Sequence, residues 1–120
     1  MGEVVTESEV KVIDKAGEMY ELRIGDTSVG QLTYRTLRSG RRSLMHTEIE
    51  EEYRGRGLAN ALIRGALDDL QRQGATASVF CPAVHAFITR HPEYESLVDR
   101  AHPGAWPAAA DRNEGTDSER

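Results

Sequence analysis

Six consecutive residues, Arg54-Gly55-Arg56-Gly57-Leu58-Ala59, carry the clearest chemical signal in this 120-residue chain. They join an extended run, Ser43 to Ile49, to a strongly helical one, Leu58 to Gln73. Glycines at such a joint let the main chain approach a ligand closely. A helix start leaves its first N–H groups unpaired and concentrates the positive end of the helix dipole, which together make a site for phosphate. A ligand bearing a diphosphate is the first expectation. The spacing excludes a G-x-x-x-x-G-K-[ST] loop, and Asn60 stands where a dinucleotide fingerprint needs its third glycine. A second candidate is the lone cysteine, Cys81, which ends a β-prone run immediately before Pro82. Proline suits the first position of a helix, so Cys81 is expected at a helix N-terminus, where a thiolate is stabilised and nucleophilic. His46 and Glu48 lie two residues apart on one strand face, with Leu44 expected on the same side. Either could serve as a general base, directly or through a water.

The elements that must position these residues follow from periodicity. Val10 to Ile13, then Met19 to Ile24, then Val29 to Leu37 read as three strands. Lys15-Ala16-Gly17, Gly25-Asp26 and Ser39-Gly40 are the turns, the last leading into the fourth strand. This gives an antiparallel meander. Leu58, Leu62, Ile63, Ala66, Leu67 and Leu70 draw one apolar stripe, so Leu58 to Gln73 is a helix closed by Gly74. Ala75 to Phe80 is a fifth strand. A short helix follows over Ala83 to Arg90, opened by Pro82 and stopped by His91-Pro92. A strand–helix–strand unit of this length favours parallel pairing of the fourth and fifth strands. The fold class is therefore α/β (α+β), with a mixed sheet built from a meander and then β-α-β-α.

Bulk properties narrow the options. The length fits one domain, divided here into a flexible start at 1–8, a folded region at 9–102 and a disordered acidic tail at 103–120. A net charge of −5 argues against general nucleic-acid binding. No apolar run approaches the ~20 residues of a membrane helix, and Met1 to Val5 lacks the regions of a secretory signal. Met1-Gly2 followed by Thr6 satisfies the permissive myristoylation pattern, yet Glu3 offers no membrane attraction. One cysteine cannot form an internal disulfide and suits a reducing cytoplasm. Four histidines and that cysteine lack ligand spacing, so no metal is expected. Arg35, Arg38, Arg41 and Arg42 crowd the hairpin before the fourth strand, where solvated side chains are the ordinary outcome.

Arg54-x-x-Gly57-x-Ala59 resembles the [Q/R]-x-x-G-x-[G/A] signature of the GNAT acetyltransferase superfamily. The element order is also that of the GNAT fold. His46-Thr47-Glu48, the loop, Cys81-Pro82 and His91-Pro92-Glu93-Tyr94 together look like a small subfamily of minimal, single-domain GNAT-like proteins, usually described as predicted N-acetyltransferases. The resemblance covers Tyr20 to Val98. It departs from the wider superfamily after Val98, where two further strands would complete the acceptor side. The fold is thus expected to be shortened at its C-terminal substrate side.

The resemblance implies acetyl-coenzyme A as donor and an amine as acceptor, a small molecule or a protein. The loop amides of Gly55, Arg56, Gly57, Leu58 and Ala59 would hold the pyrophosphate, with Arg54 also in the cofactor-binding loop. The acyl-pantetheine arm would lie where the fourth and fifth strands splay, beside backbone groups of Thr47 and Ile49. Cys81 could take the acyl group and pass it on, with His46 removing its proton across the splay. Tyr94 could protonate the leaving thiolate, or simply pack over the core, and His91 could cap its helix. A coenzyme A-binding module without catalysis and an interaction protein that keeps the fold remain open as alternatives. A monomer or weak homodimer is expected.

Overall fold

Alternating apolar and polar residues build five strands, and two amphipathic helices cover one face of the sheet they form. The structure, a computed structural model, describes residues 10–15 and 17–104. The expected flexible start at 1–8, Ala16 of the first turn, and all of the expected tail except Pro103 and Gly104 lie outside the described residues. The strands are β1 (Val10–Asp14), β2 (Met19–Ile24), β3 (Thr27–Thr36), β4 (Arg42–Ile49) and β5 (Ala77–Val79). The helices are α1 (Leu58–Gln73) and α2 (Pro82–Arg90). The sheet runs β1-β2-β3-β4-β5, antiparallel until β4 and β5, which pair in parallel. Two 3-10 turns, Glu51–Tyr53 and Pro92–Leu97, carry no sequence expectation.

Helix α1 runs over the expected residues and buries the expected stripe, Leu58, Leu62, Ile63, Ala66, Leu67 and Leu70. Gly74 closes it in the left-handed region at φ 69°, with its N–H on the Gln71 and Leu70 carbonyls. The helix lies across β1 to β4, and α2 lies on β4 and β5. At Gly65 the approach is close enough that a Cβ would stand 2.6 Å from Val12. Mid-helix glycine costs helix propensity, and here that cost is offset by the packing of α1 on β1. Cross-strand partners share a face, so Tyr20, Leu32 and Thr47 point toward the helices, as do Tyr34, Leu44 and Val79.

The pleat of β4 corrects one expectation. Thr33 pairs with His46 while the next residue, Tyr34, pairs with Leu44. Met45 is therefore an extra residue, a β-bulge that shifts the alternation by one. Leu44 faces the helices, whereas His46 and Glu48 face the opposite side, which the described helices leave open. Strand β5 is also shorter than expected. The Ala75 N–H still belongs to the helix end, bonded to the Leu70 carbonyl, and the amides of Phe80 and Cys81 both converge on the Leu44 carbonyl. Pairing between β4 and β5 ends there.

The hairpin arginines divide, and Arg42 overturns the solvated reading for itself. Its side chain is 11% exposed, because β4 begins on the helix face. Its guanidinium lies 3.5 Å from Asp14 and 3.8 Å from Asp69, donates to the Tyr20 hydroxyl, and reaches Gln73 Oε1 at 3.2 Å. It also stacks 4.5 Å from the centre of the Tyr34 ring. Tyr20 donates to Asp69 at 2.8 Å, and Tyr34 donates to Asp14. Burial, then the bond to Asp14, pushes the Tyr34 hydroxyl up to about 12. Burial, then the bond to Asp69, raises Tyr20 further. The network ties β1, β2, β3, β4 and α1 together at the end of the sheet away from the glycine loop. Pro103 and Gly104, expected to belong to the tail, pack on the sheet: Val79 donates to the Pro103 carbonyl at 2.9 Å and bridges to Gly104, covering the outer edge of β5.

Arg42→Met should destabilise the fold by about 2 kcal/mol, below the ~3–5 kcal/mol of fully buried pairs because Asp14 and Asp69 retain some solvent. A urea midpoint within error of wild type would refute this. The Tyr34 pKa is raised in the fold, so its contribution is complete below pH 10.0 and is lost as pH rises toward about 12. Stability measured across that window should fall, and Tyr34→Phe should flatten the fall.

Candidate functional site

The site begins where β4 stops. After Ile49 the chain makes its 3-10 turn and enters the loop, which ends in Gly57 as the residue before α1. Gly55 and Gly57 both sit in the left-handed region, at φ 82° and 76°, which an L side chain adopts only with strain. Space for a Cβ exists at both, with nothing inside 4 Å. Backbone conformation, rather than crowding, is what requires glycine here. No side chain caps the start of α1, and its first turn carries no acidic residue. The first turn thus presents amides and a positive dipole end with no acidic residue of its own to answer them.

The arginines of the loop have structural partners. Arg54 Nε donates to the Ile49 carbonyl at 2.9 Å, which fastens the loop to the end of β4. Arg56 donates to the Glu52 carbonyl at 3.3 Å and lies 5.3 Å from the centre of the Tyr53 ring. A cavity of about 160 Å³ is lined by Ile49, Tyr53, Arg54, Gly55, Gly57, Leu58, Ala59 and Asn60. Leu58 puts its side chain into the core, 5% exposed, leaving only its main chain for a ligand. Tyr53 and Asn60 were not anticipated as part of this wall.

The gap between β4 and β5 opens beside this loop. Glu50 donates to the Val29 carbonyl at 2.8 Å, which sets the alternation of the β3–β4 ladder. Residues 46 and 48 then exchange bonds with β3, while the main-chain groups of Thr47 and Ile49 turn away from it. Those groups face the side where β5 has already diverged. The main chain of Thr47 and Ile49 therefore faces the gap side, where the Ile49 carbonyl already accepts from Arg54.

Cys81 stands at the head of the gap. It precedes α2 with extended backbone, φ −80° and ψ 123°, and Pro82 follows in the first turn as expected. Its side chain is buried, 2% exposed. The sulfur lies 3.2 Å from Thr47 Oγ1. His46 is one residue from Thr47 and so on the other face, with 67% of its side chain exposed and Nε2 4.0 Å from Glu48. The partner of the thiol is Thr47 and not His46, a correction that follows directly from the bulge at Met45. The hydroxyl of Thr47 was not anticipated; sequence reasoning had assigned only its backbone.

Tyr94 and His91 both make packing contacts. Tyr94 is buried, donates to Asp68 of α1 at 2.7 Å, and lies 5.8 Å from the Phe87 ring centre. Burial, then the Asp68 bond, raises its pKa. Its hydroxyl is thus directed to α1, where Arg64 also reaches it at 3.4 Å. His91 ends α2 through its N–H, bonded to the Phe87 and Ile88 carbonyls, and its ring stacks 4.3 Å from Phe87. Among the described residues no three His, Cys, Asp or Glu side chains converge as a metal would need, and no helix is long and apolar enough to cross a membrane.

Comparison with known proteins adds an independent line. A family model described as GCN5-related N-acetyl-transferase matches residues 19–97. Protein NATD1 of Danio rerio is 30% identical over 84 residues, covering 68% of this chain and 76% of that protein. Protein NATD1 of Bos taurus is 39% identical over 60 residues, covering 50% of this chain and 52% of its own length. The chain thus spans about half the length of that curated relative. Among solved structures, a ribosomal-protein-alanine N-acetyltransferase from Brucella melitensis biovar Abortus 2308 aligns with TM-score 0.48 and 23% identity, over 70% of this chain and 62% of that one. Arabidopsis thaliana Naa50, in complex with the bisubstrate analogue CoA-Ac-MVNAL, aligns with TM-score 0.43 and 20% identity, over 63% and 54%.

The left-handed backbone of the loop sets a specific expectation. Gly57→Ala should cost ~1–2 kcal/mol of stability, although nothing lies within 4 Å of the added methyl. An unchanged urea midpoint would mean that the loop relaxes freely and is not held in this conformation.

Proposed function

This chain belongs to the GCN5-related N-acetyl-transferase family, and from that premise we propose that it transfers an acetyl group from acetyl-coenzyme A to an amine. One observation carries the reading. An uncapped helix start behind two left-handed glycines lies next to a gap in the sheet that the main-chain groups of Thr47 and Ile49 face. A diphosphate and an amide-bearing arm joined in one molecule match that pair of features. The loop amides from Arg54 to Ala59 hold the diphosphate, and Thr47 and Ile49 align the arm by main-chain hydrogen bonds. The gap then directs the thioester toward Cys81. Fixing donor and nucleophile in one geometry removes much of the entropic barrier.

The transfer runs in two displacements. The Cys81 thiolate attacks the thioester carbonyl, a new C–S bond forms, and the coenzyme A sulfur leaves with the electron pair and takes up a proton. An amine then attacks the acyl-cysteine, a C–N bond forms, and the Cys81 thiolate is released. The amine gives up its proton to a base. His46 and Glu48, paired on the open face of β4, are the groups that supply this base for an acceptor arriving from that side. The developing oxyanion is met by main-chain N–H in the gap.

Incubation with acetyl-coenzyme A, followed by intact mass and peptide mapping, should find one acetyl group on Cys81. Cys81→Ala should lose both the adduct and turnover. Turnover that persists in Cys81→Ala would remove the covalent route and leave direct transfer to the amine. Coenzyme A at ~100 times its Kd should stabilise the fold by ~2.7 kcal/mol. A melting temperature that does not respond to millimolar coenzyme A would refute donor binding itself.

A further inference from the structure

We propose that Thr47 is the positioning residue for Cys81, its hydroxyl orienting the sulfur toward the gap and donating a hydrogen bond to it once the thiol has ionised. The inference rests on the acyl-transfer reading for its use, and on separate geometry for its existence. Cys81 is fixed along its main chain on both sides: its N–H donates to the Leu44 carbonyl at 3.0 Å and its carbonyl accepts from His85 at 3.0 Å. Its side chain does not cap its own helix. The sulfur instead lies 3.2 Å from Thr47 Oγ1 on β4.

Three properties suit threonine to this role. Its branched side chain is stiff about χ1, so the hydroxyl is held at a defined point. A hydroxyl can accept from a neutral thiol and, after rotation, donate to a thiolate, so one contact serves both protonation states. The bond to the ionised form is charge-assisted and is the stronger of the two. Thr47 also contributes main-chain groups to the gap, so sulfur and donor substrate are referred to the same residue. The bulge at Met45 is what turns this side chain, rather than that of His46, toward the helices. The titratable groups on the surrounding elements are His46 and Glu48 on the far face of β4, His85 on α2, and Arg64 and Asp68 on α1, which meet at the Tyr94 hydroxyl.

The test is the rate of iodoacetamide alkylation of Cys81 against pH, on the full chain without ligand. Thr47→Val, which keeps the shape and removes the hydroxyl, should move the midpoint upward and slow alkylation about tenfold near neutral pH. Thr47→Ser should stay within about threefold of wild type, as both hydroxyls can donate. A Thr47→Val midpoint equal to wild type overturns the proposal, as does Thr47→Ser reacting as slowly as Thr47→Val. Should Thr47→Val lose its cooperative melt, Thr47→Ala replaces it with the same two outcomes. Coenzyme A added to wild type should protect Cys81. Absent protection would sink the donor-binding reading while leaving the effect of the hydroxyl on the midpoint to stand by itself.

Discussion

Everything at the candidate site depends on one carbonyl. Leu44 is the last residue of β4 to pair with β5, and its oxygen accepts from Phe80 and Cys81 in succession, at 2.9 and 3.0 Å. Two consecutive amides on one acceptor mean that β5 has turned out of the ladder, since a regular parallel strand would carry its bonds forward at even spacing. Beyond this point β4 continues to Ile49 paired only with β3, its remaining main-chain groups aimed at space that β5 has vacated, where Arg54 bonds the Ile49 carbonyl. Unpaired main-chain groups in a half-covered setting are costly unless something satisfies them. A ligand that lies in the gap as a substitute strand would do so.

The opposite end of the sheet explains how such an opening is tolerated. Arg42 starts β4 in a nearly closed network with Asp14, Tyr20, Tyr34, Asp69 and Gln73. Four strands and α1 meet in that network, so β4 is held firmly at its beginning and can be left unsupported at its end. Two tyrosine hydroxyls with raised pKa keep their protons and donate to the carboxylates, while one guanidinium neutralises both acids. On the outer side of β5, residues 98–104 supply the bonds that a further strand would otherwise provide. The opening therefore lies between two secured edges.

Local signals made much of this legible. The apolar stripe from Leu58 to Leu70 marked α1 over its whole length, and Gly74 and Pro82 marked a helix end and a helix start by backbone chemistry alone. The loop glycines stood out by residue type, although their left-handed conformations came only with the structure. What escaped was the face of each side chain on β4. Leu44 and Ile49 both enter the core, yet they are five residues apart, an odd interval that a two-residue repeat cannot satisfy. That mismatch is the trace of a bulge, and counting outward from Leu44 alone carried His46 to the wrong side. The fate of Arg42 was hidden for a related reason: its burial requires Asp14, Tyr20 and Asp69 from three distant elements.

By itself, then, the order of residues determined most of the elements, the glycine loop before α1 and the placement of Cys81 before a helix, because each depends on neighbours within a few positions along the chain. Only the tertiary structure decided which side chain meets the thiol, where the fifth strand leaves the fourth, and which arginine is buried. Those outcomes depend on register between strands, and register is set by packing summed over the whole sheet, so one inserted residue reverses the sides of everything beyond it.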